Sequence, residues 1–166
     1  RGVAAGNQQG PGESRWSMIE ADLRTYLLTL SAVTTLVGQR IYVDEIPQLA
    51  DGEEQTDIFP CIVFTVMNET PQTDLDGDGG LVLGQVQIAA LSGMKSVARS
   101  ICEAVRINGT NPGTGLAGYT GTVGTASFTK CVLNDTSMEY WQADDGTDTG
   151  LHVVKANYSL WYSEIV

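Results

Sequence analysis

Between Phe59 and Ile107 the chain changes pattern in an order that leaves few folds open: strand, acidic turn, strand, helix. Phe59-Pro60 opens a run, Cys61 to Met67, rich in β-branched and aromatic residues. Asp74 to Gly80 alternates carboxylates with glycines, which favours turn geometry over regular structure. Leu81 to Leu91 reads as a second strand, so the pair is expected to form a hairpin with a wide, solvated tip. Val82, Val86, Ile88 and Ala90 share one face at period two, and Gln85 and Gln87 share the other. One face of the sheet is therefore well buried and the other more polar. Ser92 is placed to cap a helix. In that helix Met94, Val97, Ala98, Ile101, Ala104 and Val105 form a single apolar stripe, and Asn108-Gly109 stops it. Burying each large stripe residue is worth roughly 1.5–3 kcal/mol, so packing on the hairpin rather than local propensity should hold this helix.

The flanking sequence extends the unit. Ile19, Leu23, Tyr26, Leu27, Leu30 and Val33 mark an opening helix face, introduced by a Ser17-x-x-Glu20 capping box. Ser31 interrupts it and starts a second short turn that ends at Gly38. Arg40 to Val43 reads as a short strand and Asp51 to Asp57 as an acidic loop. Asn108 to Ser127 is rich in glycine and threonine and reads either as holding a short strand near Leu116 to Tyr119 or as a long loop. Phe128 to Leu133 and Ser137 to Gln142 read as two strands, and Leu151 to Glu164 as the last. On that strand His152, Val154, Ala156, Tyr158, Leu160 and Tyr162 are expected to point inward, with Trp161 on the polar side. The sum is an α+β fold: a mostly antiparallel sheet with two helices packed on one face. Residues 1–17, glycine- and glutamine-rich, read as an extended arm, and 18–166 as one domain.

Charge narrows the function. The 166 residues carry a formal charge of −11, from 9 basic and 20 acidic side chains. No basic residue lies between Arg40 and Lys95, where Asp51, Glu53, Glu54, Asp57, Asp74, Asp76 and Asp78 stand among ten acids. Gripping nucleic acid draws on Lys and Arg to replace phosphate counterions, so direct DNA binding is not expected. No apolar run reaches the roughly 20 residues of a membrane span, and no apolar leader core opens the chain, so neither membrane nor secretion is expected. Cys61, Cys102 and Cys131 are odd in number and widely spaced, and read as reduced, buried thiols.

Few residues suggest chemistry. Asp74-x-Asp76-x-Asp78-Gly79 matches the first half of an EF-hand loop, which makes the three aspartates a calcium candidate. The twelfth position is Gln85, where a bidentate Glu is needed, and the flanks read as strands. A plain solvated tip is the simpler reading, because carboxylates about 5 Å apart repel by under ~1 kcal/mol in water. His152, the single histidine, falls mid-strand as a core or edge residue. No hydrolase, metalloprotease or phosphate-loop spacing occurs, so neither an enzyme nor a cofactor is expected.

Four pieces in sequence order resemble the tail-terminator (tail-completion) family of tailed bacteriophages and phage-like particles. They are the opening helix ending in Leu36-Val37-Gly38-Gln39-Arg40-Ile41-Tyr42, then Phe59-Pro60-Cys61-Ile62-Val63-Phe64 leading to Asn68-Glu69-Thr70-Pro71. Third is the Gln87-Ile88 strand running into the Lys95-to-Val105 helix, and fourth the Asp145-Gly146 tip before Ala156 to Tyr162. The arm, the triple-Asp tip and the Gly/Thr insertion depart from that pattern. The resemblance implies a non-enzymatic virion protein at the head-proximal end of the tail, forming a homo-hexameric ring. Such a ring ends the tail tube protein's polymerisation and joins it to the head-tail connector, while DNA passes through unbound. It would give the acids at 51, 53, 54, 57, 74, 76 and 78 a place facing the lumen, and Trp16 and Trp161 a place at subunit contacts. A connector or stopper ring on the head side is the alternative, and a calcium-dependent binding module a further one.

Overall fold

The computed structural model describes residues 18–48, 51–52, 58–110, 113–142 and 150–164. Three helices and six strands follow in the order α1 (Met18–Thr29), α2 (Ser31–Val37), β1 (Ile41–Val43), β2 (Cys61–Asp74), β3 (Gly77–Ser92), α3 (Lys95–Ile107), β4 (Gly121–Val123), β5 (Ala126–Trp141) and β6 (Leu151–Glu164). They build one mixed sheet in the order β1-β2-β3-β6-β5-β4. β1 lies parallel to β2, and each other neighbouring pair is antiparallel.

Period two decides which side of the sheet is filled. Val86 and Ile88 of β3, Ile62 and Phe64 of β2, and Tyr158 and Leu160 of β6 point into one cluster. Ile19, Leu23 and Leu27 of α1, Val33 and Val37 of α2, and Ala98, Ile101 and Val105 of α3 enter the same cluster. The even positions of β6 from Val154 to Tyr162 are buried in that core. The opposite side is polar along most of its length but holds a second, smaller core at one end. There Cys61, Leu91, Val153 and Ile58 are buried together, with Tyr42, Phe59 and Val63 against them. Period alone assigns Val153 to the polar side; the chain leading into β2 covers it.

Several elements differ from the sequence expectation, each for a local reason. The opening helix breaks at Ser31 as expected, but the short turn that follows is a helix in its own right, α2, so three helices rather than two accompany the sheet; Leu30 is extended (φ −76°, ψ 105°) between α1 and α2. The Thr29 hydroxyl there donates to the Tyr26 carbonyl, as a helix-end threonine can. The two strands expected after residue 127 are one, β5, bent by irregularities at Phe128/Lys130 and Leu133/Asp135. Asn134-Asp135, which falls between the two expected strands, lies at a bulge, and the Asn134 amide donates to Ser159 Oγ at 2.8 Å. Leu116 to Tyr119 is not a strand. Leu116 is fully buried, and its N–H donates to the Val105 carbonyl at the end of α3. Ser92 does not serve as the N-cap of α3; that position is Met94, whose N–H donates to Ser92 Oγ at 3.1 Å. Ser17 of the capping box lies outside the described residues.

One polar contact ties the helices to the far edge of the sheet. Asp22 of α1 is nearly buried, and its Oδ2 accepts from the Thr125 N–H (2.9 Å), the Thr125 hydroxyl (3.0 Å) and the Ala126 N–H (2.9 Å). These donors sit on the β4–β5 turn. The turn comes that close because Gly124 has φ +58° and no side chain; a Cβ there would overlap the Asp22 carboxylate. Hydrogen bonds to a charged acceptor are worth about 1.5–3 kcal/mol each in context. Asp22→Ala should therefore lower stability by about 2–4 kcal/mol, and Gly124→Ala by a similar amount. The double variant should lose much less than the sum of the two, since both break the same contact. Urea melts of the three variants check this, and full additivity would refute it.

Candidate functional site

Nothing in the described structure gathers catalytic groups, so the surfaces a partner could meet are the candidates. The first is the β2–β3 hairpin. Leu81 of β3 is level with Ser163 near the end of β6, so the hairpin from Gln72 to Gly80 runs on past its neighbour. Its base is braced by the Tyr162 hydroxyl, which donates to Glu69 Oε1. The tip corrects the expected wide loop. Asp74 pairs with Gly77 and Thr73 with Asp78, which leaves Leu75 and Asp76 as a two-residue turn. Gly77 at φ +117° accommodates it. Asp74 and Asp76 are exposed beside a wholly exposed Leu75.

This geometry bears on the calcium candidate. An EF-hand wraps about twelve residues around its ion. Here Asp74 and Asp78 stand in facing strands and only Asp76 is in the turn. Among the described residues, no group of three His, Cys, Asp or Glu side chains is close enough to hold a metal. A calcium titration by calorimetry should give no binding heat, and the melting temperature should not respond to EDTA.

Of the other acids, Asp51 lies in an exposed turn with Gly52. Glu53, Glu54 and Asp57 lie outside the described residues, as does Trp16. The hairpin tip and the Asp51 turn are therefore separate features. Trp161 is partly buried on the polar side of β6, level with Leu83 and Lys130. His152 is partly buried too, with its ring 4.8 Å from that of Tyr140.

The second surface is one the sequence shows only in fragments. On the side away from the helices, side-chain hydrogen bonds cross the sheet. Gln87 Nε2 donates to Asn157 Oδ1 (3.0 Å), and Asn157 Nδ2 donates to Asp135 Oδ1. One step along, the Ser159 hydroxyl donates to Gln85 Oε1 (3.3 Å) and accepts from Asn134 Nδ2. Gln85, Gln87, Asn134, Asp135 and Asn157 border a groove with Met67 and Asn68. The band is uncharged except for Asp135. Its signal was present as Gln85/Gln87 and Asn157/Ser159, each at period two, but their pairing across strands needs the register.

The three cysteines are free and buried, each beneath a different element. Burial pushes each thiol up to about 12 from a usual 9.0. A thiol protonated when folded but ionised when unfolded stabilises the fold below pH 9. That contribution is lost as pH rises from about 9 to about 12. Stability should fall across this window, and a thiol reagent at pH 8 should label the native protein far more slowly than the urea-unfolded chain. Fast native labelling would contradict the burial.

Among the described residues the distinctive features are an acidic hairpin, a polar sheet face and three buried thiols. Comparison with known proteins specifies the kind of protein. The family model described as tail completion protein gp17 matches residues 21–107, from within α1 to the end of α3. The chain belongs to this family and is a structural protein of phage-type virions. No curated protein sequence matches it. Among solved structures, a chain of the virion of a native gene transfer agent particle superposes with a TM-score of 0.57 at 10% identity. The match covers 89% of this chain and 98% of that one. At that identity the likeness establishes a shared fold. At 89% of this chain it extends beyond the residues of the family match.

Proposed function

We propose that this protein closes the head-proximal end of a phage-type tail as a ring, usually of six copies, and joins the tail tube protein to the head-tail connector. Membership of the tail completion family is the observation that carries this reading. Closed cyclic symmetry is its physical requirement, since a terminator must offer a finite surface rather than a growing one. The role is geometric, and no catalytic step or cofactor is invoked. Residues 18–166 act as the single folded domain and residues 1–17 as an arm reaching a neighbour, with Trp16 and Trp161 at subunit contacts. Assembly takes place in the host cytoplasm.

The acids fit a channel through which DNA slides. The hairpin carrying Asp74, Asp76 and Asp78 projects beyond β6 and can reach the lumen, with Asp51, Glu53, Glu54 and Asp57 as the second acidic element. Repulsion from such a wall extends only about 8 Å at physiological salt, enough to keep the duplex from adhering as it passes. A ring on the head side, acting as a stopper, is the competing role within the same virion.

Native mass spectrometry of the purified chain should show a closed ring. Electron microscopy should show that ring capping purified tail tubes. A protein that stays monomeric at high concentration would end the ring reading, and a ring that binds portal or connector but not tube would favour the stopper. Changing Asp74, Asp76 and Asp78 to Asn should slow DNA ejection if they face the lumen and leave it unchanged if they face outward.

A further inference from the structure

We propose that copies of this chain join by antiparallel strand pairing, the open edge of β2 in one copy against the open edge of β5 in the next. This deepens the ring reading above and rests on it.

Both ends of the sheet are covered by very short strands. β1 lies along β2 only from Ile62 to Phe64, and β4 along β5 only from Ala126 to Phe128. Among the described residues no strand pairs with β2 past Phe64 on that side, or with β5 past Phe128. The Gly118 N–H, donating to the Cys131 carbonyl, extends the cover of β5 a little. Beyond that β5 is open to Trp141. Long open edges invite pairing with another chain, and monomers usually blunt them with charge or cover. Here they carry exposed Glu69 on β2 and Asp135 and Glu139 on β5, but also Met67 at 62% exposure on β2 and Met138, Tyr140 and Trp141 at 50%, 56% and 47% on β5.

Direction fits a ring. β2 and β6 run one way, β3 and β5 the other. The two open edges therefore lie on opposite sides of one sheet and run antiparallel. A second copy placed by rotation about a common axis presents its β5 to the first copy's β2 in antiparallel sense, and the operation repeats until it closes. A two-fold dimer would use a single edge and leave the other bare.

Hydrogen-bonding groups fit as well. Ile62 donates to Arg40 and Phe64 accepts from Asp44, so these residues point their backbone groups outward from the sheet. Alternation continues that set to Val66 and, past the bulge at Met67, to Glu69 and Pro71. On β5 the outward carbonyl of Cys131 starts the set, which continues past the Leu133/Asp135 bulge to Thr136, Met138 and Tyr140.

Offset is the sharpest feature. Thr65 is level with Asp135 through Gln87 and Asn157. From that level the open edge of β2 runs toward the hairpin tip, while most of the open edge of β5 runs the other way. Side by side without tilt they would barely overlap. Strands in a closed barrel tilt by about 35–45°. Four long strands about 4.8 Å apart then displace each copy along its neighbour by roughly 13–19 Å, or about four to six residues. The pleat permits only an even number, because matched residues must share a face. A stagger of about four sets Val66 opposite Met138, Glu69 opposite Thr136, Thr65 opposite Glu139 and Thr70 opposite Asp135. No like charges meet, and Pro71, which lacks an N–H, ends the ladder.

The test uses the full chain. A Val66→Cys/Met138→Cys double variant, mildly oxidised and run on a denaturing non-reducing gel, should give a ladder of covalent multimers ending at the ring. Either single variant should stay monomeric on the same gel. Met138→Pro removes an outward N–H and leaves the ladder to β6 whole. It should keep the native circular dichroism and lose the ring in native mass spectrometry; if it misfolds, the cysteine pair decides alone. A wild-type ring with no cross-linking, or a ring that survives Met138→Pro, overturns the proposal. If the ring survives and tube binding is lost, the edge receives a strand of the tube protein instead, which also overturns it. A monomeric wild type is seen without any variant and marks failure of the ring reading itself.

Discussion

The pairing of β3 with β6 is the contact on which the other parts depend. Twelve consecutive residues of β3, Leu81 to Ser92, face His152 to Ser163 without a break in register. These strands are separated by about 60 residues of sequence that include α3, so the ladder is a long-range closure whose loop entropy must be offset by burial. Tyr158, Leu160 and Ile88 on its filled side are all fully buried, which supplies that offset. Every irregularity sits elsewhere. The bulges are confined to β2–β3 and β5–β6, outside this central pair. The sheet is thus regular in the middle and irregular toward both edges.

Much of the architecture was legible in the sequence, and the particular residues explain why. The Val86–Ile88–Ala90 alternation, the α3 stripe and the even face of β6 each repeat with a clear period, and burial followed it except at Met94, which is the exposed N-cap of α3, and at His152, which is only partly buried. What escaped was anything set by partners far along the chain. Asn134-Asp135 looks like a gap between two strands until Ser159 and Asn157 stand opposite to accept and donate. Leu116 looks like a strand residue until α3 ends beside it. The triple-Asp segment was taken as too irregular for a ladder, yet Gly77 provides the positive φ that a tight turn requires and the ladder resumes at once. Asp22 was invisible as a contact, because its donors lie more than a hundred positions away.

The candidate surfaces were less legible than the fold. Individual acids can be read from the sequence, but whether they share a surface cannot; Asp51 and Asp76 belong to different elements. The amide band is a clearer case. Its members come from β3, β5 and β6, and only the register shows that Gln87, Asn157 and Asp135 stand in one row. A row of satisfied amides is a low-charge surface whose hydrogen-bonding capacity is already turned inward on itself.

The link between Asp22 and the β4–β5 turn adds a polar tie where α1 already packs on β4 and β5 and the Tyr26 ring lies 4.1 Å from that of Tyr119. Helix α1 begins at Met18, directly after the N-terminal segment, and Asp22 is one turn in. Any mechanical load entering the fold through that segment is resisted first by the packing of Ile19 and Leu23 and by a single carboxylate gripping the corner from which β5 departs. Displacing the helix would tilt that corner, and with it the start of the strand. A shift of α1 is in this way passed to the opposite margin of the sheet.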